Sequence, residues 1–157
     1  MKAALLDINE WDFYQDLVLE IGGLGPCVGI VLYNPKQKAA FAGHFADCEV
    51  DGLKDMVEEA VKDFKMAEIK AYAFGNSLDN STYRNYMKKD REFVRKLLTE
   101  NNLVNVIYAW SQDFCSMEFE LNLKTQKNVL TMFDEENQVL AYRGKIEDFE
   151  KSINEYF

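Results

Sequence analysis

Histidine is almost missing from this 157-residue chain: His44 stands alone, so any imidazole base or ligand must be that residue. Proline is scarce, at two residues, and no repeat, low-complexity segment or Pro/Gly/Ser-rich linker interrupts the sequence, which argues for one domain over residues 1–157. The three cysteines, Cys27, Cys48 and Cys115, leave at least one unpaired and form no C-x-x-C pair, arguing against a disulfide framework or a cysteine-rich zinc site. Positive charge is in deficit. With 18 Lys+Arg against 27 Asp+Glu the net charge is −9 and no basic stripe is present, which argues against nucleic acid as a partner. Long apolar runs are also lacking. Ala3-Ala4-Leu5-Leu6 is too short for the core of a signal peptide, and nothing approaches the ~20 residues of a membrane span, so the expected location is the cytoplasm without membrane insertion.

What is present is core-forming material, 48% hydrophobic and 13% aromatic residues, enough for a compact globule. Gln15 to Ile21 reads as a short strand ending in the turn Gly22-Gly23-Leu24-Gly25-Pro26. Cys27 to Tyr33 is a β-rich apolar run, Asn34-Pro35-Lys36-Gln37 is turn chemistry, and Lys38 to Phe45 returns as a second strand. Leu53, Met56, Val57, Ala60, Val61 and Phe64 recur at helical spacing behind Asp51, a candidate cap. Glu68 to Phe74 suggests a strand, Ser81 to Asn101 a second helix, and Leu103 to Trp110 another strand. Cys115 to Lys124 alternates apolar and polar with period 2, Val129 to Phe133 and Val139 to Arg143 form a hairpin, and Ile146 to Tyr156 closes the chain as a helix. The fold class is therefore α+β, with helices layered on mixed or antiparallel sheets.

Chemistry can be argued at one place. If the first hairpin turns between Pro35 and Lys36, Tyr33 pairs with Lys38, Val31 with Ala40, Gly29 with Ala42 and Cys27 with His44. That register sets the only imidazole opposite a thiol, with Cβ atoms about 4.5–5.5 Å apart. The small pair Gly29 and Ala42 would leave open space beside the sulfur. Backbone N–H groups of the turn around Gly25, Pro26 and Cys27 would point at a developing oxyanion. These are the parts of acyl transfer by a thiolate nucleophile. The alternative is that Cys27 is a small buried hydrophobe and His44 an ordinary hydrogen-bonded residue. A metal site from Cys27, His44, Asp47 and Cys48 is a third and poorer option, and no cofactor or metal is expected.

The block Gly23-Leu24-Gly25-Pro26-Cys27-Val28-Gly29-Ile30-Val31-Leu32-Tyr33-Asn34-Pro35, followed by Gly43-His44, resembles the signature of the CheD chemoreceptor glutamine deamidases. In that family Gly-Leu-Gly-Ser-Cys-Val precedes an aliphatic run, an Asp-Pro turn and a histidine seventeen positions after the cysteine, the spacing found here. Weaker similarities follow at Asn80-Ser81-Thr82-Tyr83-Arg84-Asn85 and at Ser116-Met117-Glu118-Phe119, so the likeness runs with gaps from about Gln15 to Phe133. It implies the layered α+β fold shared with the deamidase domain of cytotoxic necrotizing factor toxins. It also implies hydrolysis of a protein glutamine side chain, with Cys27 as nucleophile and His44 as general base, and partners in chemotaxis signalling: a substrate with an exposed glutamine and a CheC-type phosphatase.

The chain departs from that pattern at two positions beside the dyad. Ile21 stands where the family has a threonine, so only its backbone carbonyl, or Asn76 or Gln112, remains to orient the imidazole. Pro26 stands where the family has a serine and removes a backbone N–H from the turn. The family's Gly-Gly segments are altered around Phe74-Gly75-Asn76-Ser77 and Ser111-Gln112-Asp113. These departures sustain a second expectation, a CheD-like module without activity that binds protein. Trp11, Phe13 and Tyr14, or Phe149, Tyr156 and Phe157, would then serve as contact surface unless they complete a core.

Overall fold

The computed structural model describes residues 3–6, 9–49, 52–78 and 84–156. Asp51 and the segment Asn80 to Tyr83, singled out above, lie outside these residues, as do Phe157 and the side chain of Tyr156. One sheet contains β1 (Ala3–Leu5), β3 (Val18–Leu24), β8 (Cys115–Asn122), β9 (Asn128–Asp134) and β10 (Val139–Gly144), in that spatial order. The other contains β2 (Glu10–Gln15), β5 (Ala39–Phe45), β4 (Val28–Asn34), β6 (Lys70–Gly75) and β7 (Val106–Trp110). The described residues also hold three α-helices: α1 (Leu53–Asp63), α2 (Arg84–Glu100) and α3 (Phe149–Tyr156). The architecture is a layered α+β fold. β1 runs parallel to β3 and β6 parallel to β7, with α2 as the β6–β7 crossover; the remaining pairs are antiparallel.

The patterning of the strands dictates the layers. Every residue of β4 and β5 is buried, as a near-continuous apolar run requires when both faces of a sheet are covered. On one face Val31, Tyr33, Ala40, Ala42, Tyr72 and Phe74 meet Leu19, Ile21, Met117, Phe119 and Leu121 of the other sheet. On the opposite face Ile30, Leu32, Phe41 and Ala73 meet Leu53, Met56, Val57 and Ala60 of α1 and Val94, Leu97 and Leu98 of α2. β8 alternates buried and exposed because its outer face is wet. Tyr33 joins the two sheets, its hydroxyl donating to the Leu123 carbonyl at 2.7 Å.

The N-terminal region departs from expectation. Instead of one strand over Gln15 to Ile21 there are two, split at Asp16, whose φ of 56° reverses the chain and sends β2 to one sheet and β3 to the other. β2 carries the N-terminal aromatics. Phe13 packs on Phe41 with ring centroids 5.2 Å apart, Trp11 packs on the helix-side core and Tyr14 on the inter-sheet core. Phe149 is buried in the inter-sheet core and completes packing, whereas Phe13, for all its contact with Phe41, stays 42% exposed.

Candidate active site

The first hairpin forms, in a different register. Asn34 pairs with Ala39, Tyr33 with Ala40, Val31 with Ala42 and Gly29 with His44, so the partner of His44 is Gly29 and not Cys27. The cause is local. Asn34 Oδ1 accepts from the N–H groups of Lys36 and Gln37, at 3.1 and 3.2 Å, and Lys38 adopts φ 53°, which lengthens the loop to Pro35–Lys38. Each partner moves by two residues, so facing is preserved. Cys27, at the entrance to β4, and His44, on β5, thus both belong to the inter-sheet face and stand diagonally, His44 being paired with the residue two beyond Cys27.

The space expected beside the sulfur is filled. A Cβ at Gly29 would come within 2.3 Å of Phe74 Cε2 and 2.6 Å of its Cζ, so the Phe74 ring lies directly over Gly29. That ring packs, tilted by 52°, on Phe119 of the facing sheet with ring centres 4.8 Å apart. The inter-sheet face here is core, not a cleft. Cys27 is 8% exposed and His44 6% exposed.

The turn before Cys27 is held by two segments remote in sequence. The Asn76 N–H donates to the Cys27 carbonyl at 2.8 Å, Asn76 Nδ2 to the Pro26 carbonyl at 3.2 Å, and the Ser77 N–H to the Gly25 carbonyl at 2.7 Å. Gly75, with φ 88°, can approach this closely because a Cβ there would meet the Cys27 oxygen at 2.7 Å. Arg91 of α2 ties the assembly together: Nε donates to Asn76 Oδ1 at 2.6 Å, and Nη2 donates to the Asn76 and Ser111 carbonyls at 2.7 and 3.3 Å. Its guanidinium also sits 5.5 Å from the Trp110 ring centre. The segments altered relative to the family pattern, Phe74 to Ser77 and Ser111 to Asp113, therefore converge on the Cys27 turn.

The roles expected of the neighbouring residues change accordingly. The Gly25 N–H donates to the Gly23 carbonyl at 3.1 Å and Pro26 has none, so neither supplies an oxyanion donor. Asn76 is committed to the turn and to Arg91. Gln112 acts through its carbonyl, which accepts from Ser77 Oγ and Ser111 Oγ at 3.1 and 3.0 Å. Ile21 is buried in β3, in register with Phe119. Cys48 belongs to the helix-side core, across the sheet from Cys27, so the two cannot ligate one metal. No group of three or more His, Cys, Asp or Glu side chains among the described residues is arranged to hold a metal ion.

Arg91 and Cys115 were missed by the sequence reading. Cys115 lines an open hollow of ≈ 670 Å³ together with Gly23, Gly25, Pro26, Ser77, Phe114, Ser116, Glu135 and Glu136. Burial, reinforced by the carboxylates of Asp134, Asp113 and Glu135, pushes its thiol up to about 11, so it is protonated at neutral pH and a poor nucleophile. The only advance signal for it was its place at the head of an alternating strand.

No protein-family model matches the chain, and no curated protein matches it. Among solved structures it is similar to the hypothetical protein YfiH of Bacillus licheniformis, with 14% identity and a TM-score of 0.48, over 66% of this chain and 51% of that one. The chain thus spans about half the length of that protein. No helix among the described residues is long and apolar enough to cross a membrane.

Proposed function

We propose that the protein is a cysteine hydrolase acting on a primary carboxamide, the side chain of glutamine in a protein substrate, as its likeness to CheD-type deamidases implies. The observation that carries this reading is the common facing of Cys27 and His44 at adjacent strand ends, behind a braced turn. Cys27 Sγ attacks the carboxamide carbon, the C–N bond breaks as His44 delivers a proton to departing ammonia, and His44 then activates water to hydrolyse the thioester, leaving glutamate and the free thiol. With the Gly25 N–H engaged and Pro26 lacking one, the oxyanion takes its hydrogen bonds from donors at or after Cys27. Purified protein incubated with glutamine-containing receptor peptides is expected to release ammonia, and both Cys27→Ala and His44→Ala to abolish the release. Absence of ammonia from the wild-type protein sinks the proposal.

A second reading, a CheD-like module that binds protein without turnover, is favoured by the Phe74 ring over Gly29 and by the apolar Ile21. Alkylation separates the two. An activated Cys27 reacts with iodoacetamide near pH 7 much faster than Cys48 or Cys115, whereas in an inert module it has no advantage.

A further inference from the structure

We infer that the hollow beside the Cys27 turn receives a cationic segment of a polypeptide partner, an apolar side chain entering against Phe114 and Pro26 and flanking Lys or Arg side chains meeting Glu135 and Glu136. This deepens the proposed function by naming the chemistry of the substrate, and it rests on the reading that Cys27 works on a polypeptide. Its placement supports it: Gly25 and Pro26 form one wall, Pro26 adjoins Cys27, and Ser77, bonded to Gly25, forms part of the rest. Phe114 is 39% exposed although it is a large apolar side chain, and it holds φ 62°, a backbone conformation costly for a bulky residue and common where binding compensates it. The Glu135 N–H donates to the Phe114 carbonyl at 3.1 Å, so the aromatic and acidic sides of the hollow are one braced unit. Among the described residues no lysine or arginine lines it. The charge complementarity therefore selects a basic occupant and disfavours a second copy of this chain, whose net charge is −9.

The test uses the Cys27→Ser variant, which cannot turn over, and a fluorescein-labelled peptide with Leu-Gln flanked by lysines, compared by anisotropy with a counterpart carrying glutamates in their place. The lysine peptide is expected to bind about tenfold more tightly, the sum of two exposed charge pairs, with the margin shrinking at high salt. Glu135→Gln/Glu136→Gln should bring the ratio close to one, whereas Glu118→Gln/Glu120→Gln, on the outer face of the same sheet, should leave it intact. Equal binding of both peptides, or a preference unmoved by the first double variant, overturns the inference. Ammonia release from wild-type protein with either peptide, irrespective of charge, would sink the inference but not the hydrolase reading. Charge-selective binding without ammonia release would do the reverse.

Discussion

The Gly29→Ala substitution separates the site expected from the hairpin alone from the site that the packed protein contains. If the space beside Cys27 were open, one methyl group there would be tolerated. In the structure that methyl would lie 2.3 Å from Phe74 Cε2 and 2.6 Å from Cζ, against a comfortable carbon–carbon separation of about 3.5–4.0 Å. The Phe74 ring would have to retreat by more than about 1 Å, but Phe119 stands behind it at 4.8 Å between ring centres and Phe74 is fully buried. Overpacking of a core costs about 1–3 kcal/mol, and the lack of room to yield puts this case at the upper end, about 3 kcal/mol. With a urea m-value of about 2 kcal/mol/M, the unfolding midpoint should fall by about 1.5 M. Combining Gly29→Ala with Phe74→Leu should cost less than the sum of the single changes, since the second substitution frees the volume that the first needs. A midpoint lowered by less than about 0.3 M in the single variant would refute the packing argument and restore an open hollow next to the sulfur.

Three further outcomes follow from other parts of the molecule. Asp90, buried on α2 and accepting the Cys48 N–H at 3.2 Å, has its carboxyl raised from 3.8 to about 6 by burial, with Asp47 and Glu49 adding repulsion. Between these values the unfolded chain has lost a proton that the folded one keeps, so stability falls as pH rises from about 4 to above 6; Asp90→Asn should flatten that dependence, read from urea midpoints at either end. Arg91→Met should destabilise by about 3 kcal/mol in thermal or urea unfolding, because it strips charged donors from Asn76 and Ser111, whereas an effect under about 0.5 kcal/mol would mean the bracing is idle. Cys115 in the native protein should alkylate near neutral pH about two orders of magnitude more slowly than an ordinary thiol, with the rate still climbing at pH 10; a plateau near pH 9 would show its environment to be wet.

Much of the fold can be read from the chain because its signals are local. The alternation from Cys115 onward, the apolar stripe of α1 and the continuous apolar run of β4 each report a burial pattern that the structure realises. The division of residues 10–24 into two strands was hidden because Asp16 adopts a positive φ that its identity permits without demanding. The hairpin register was out of reach for a related reason. One Asn34 side chain capping two N–H groups, with Lys38 in a left-handed conformation, changes the loop length and shifts every pair.

Sequence periodicity was enough to settle that Cys27 and His44 share a face, because moving each partner by two residues cannot change which side of a strand a residue occupies. Tertiary packing decided what surrounds them. The Phe74 ring over Gly29, the bracing of the Cys27 turn by Asn76, Ser77 and Arg91, and the acidic hollow beside it all join segments remote from one another in the chain. Local spacing governs facing, whereas the space next to a side chain is set by whatever the rest of the chain folds against it.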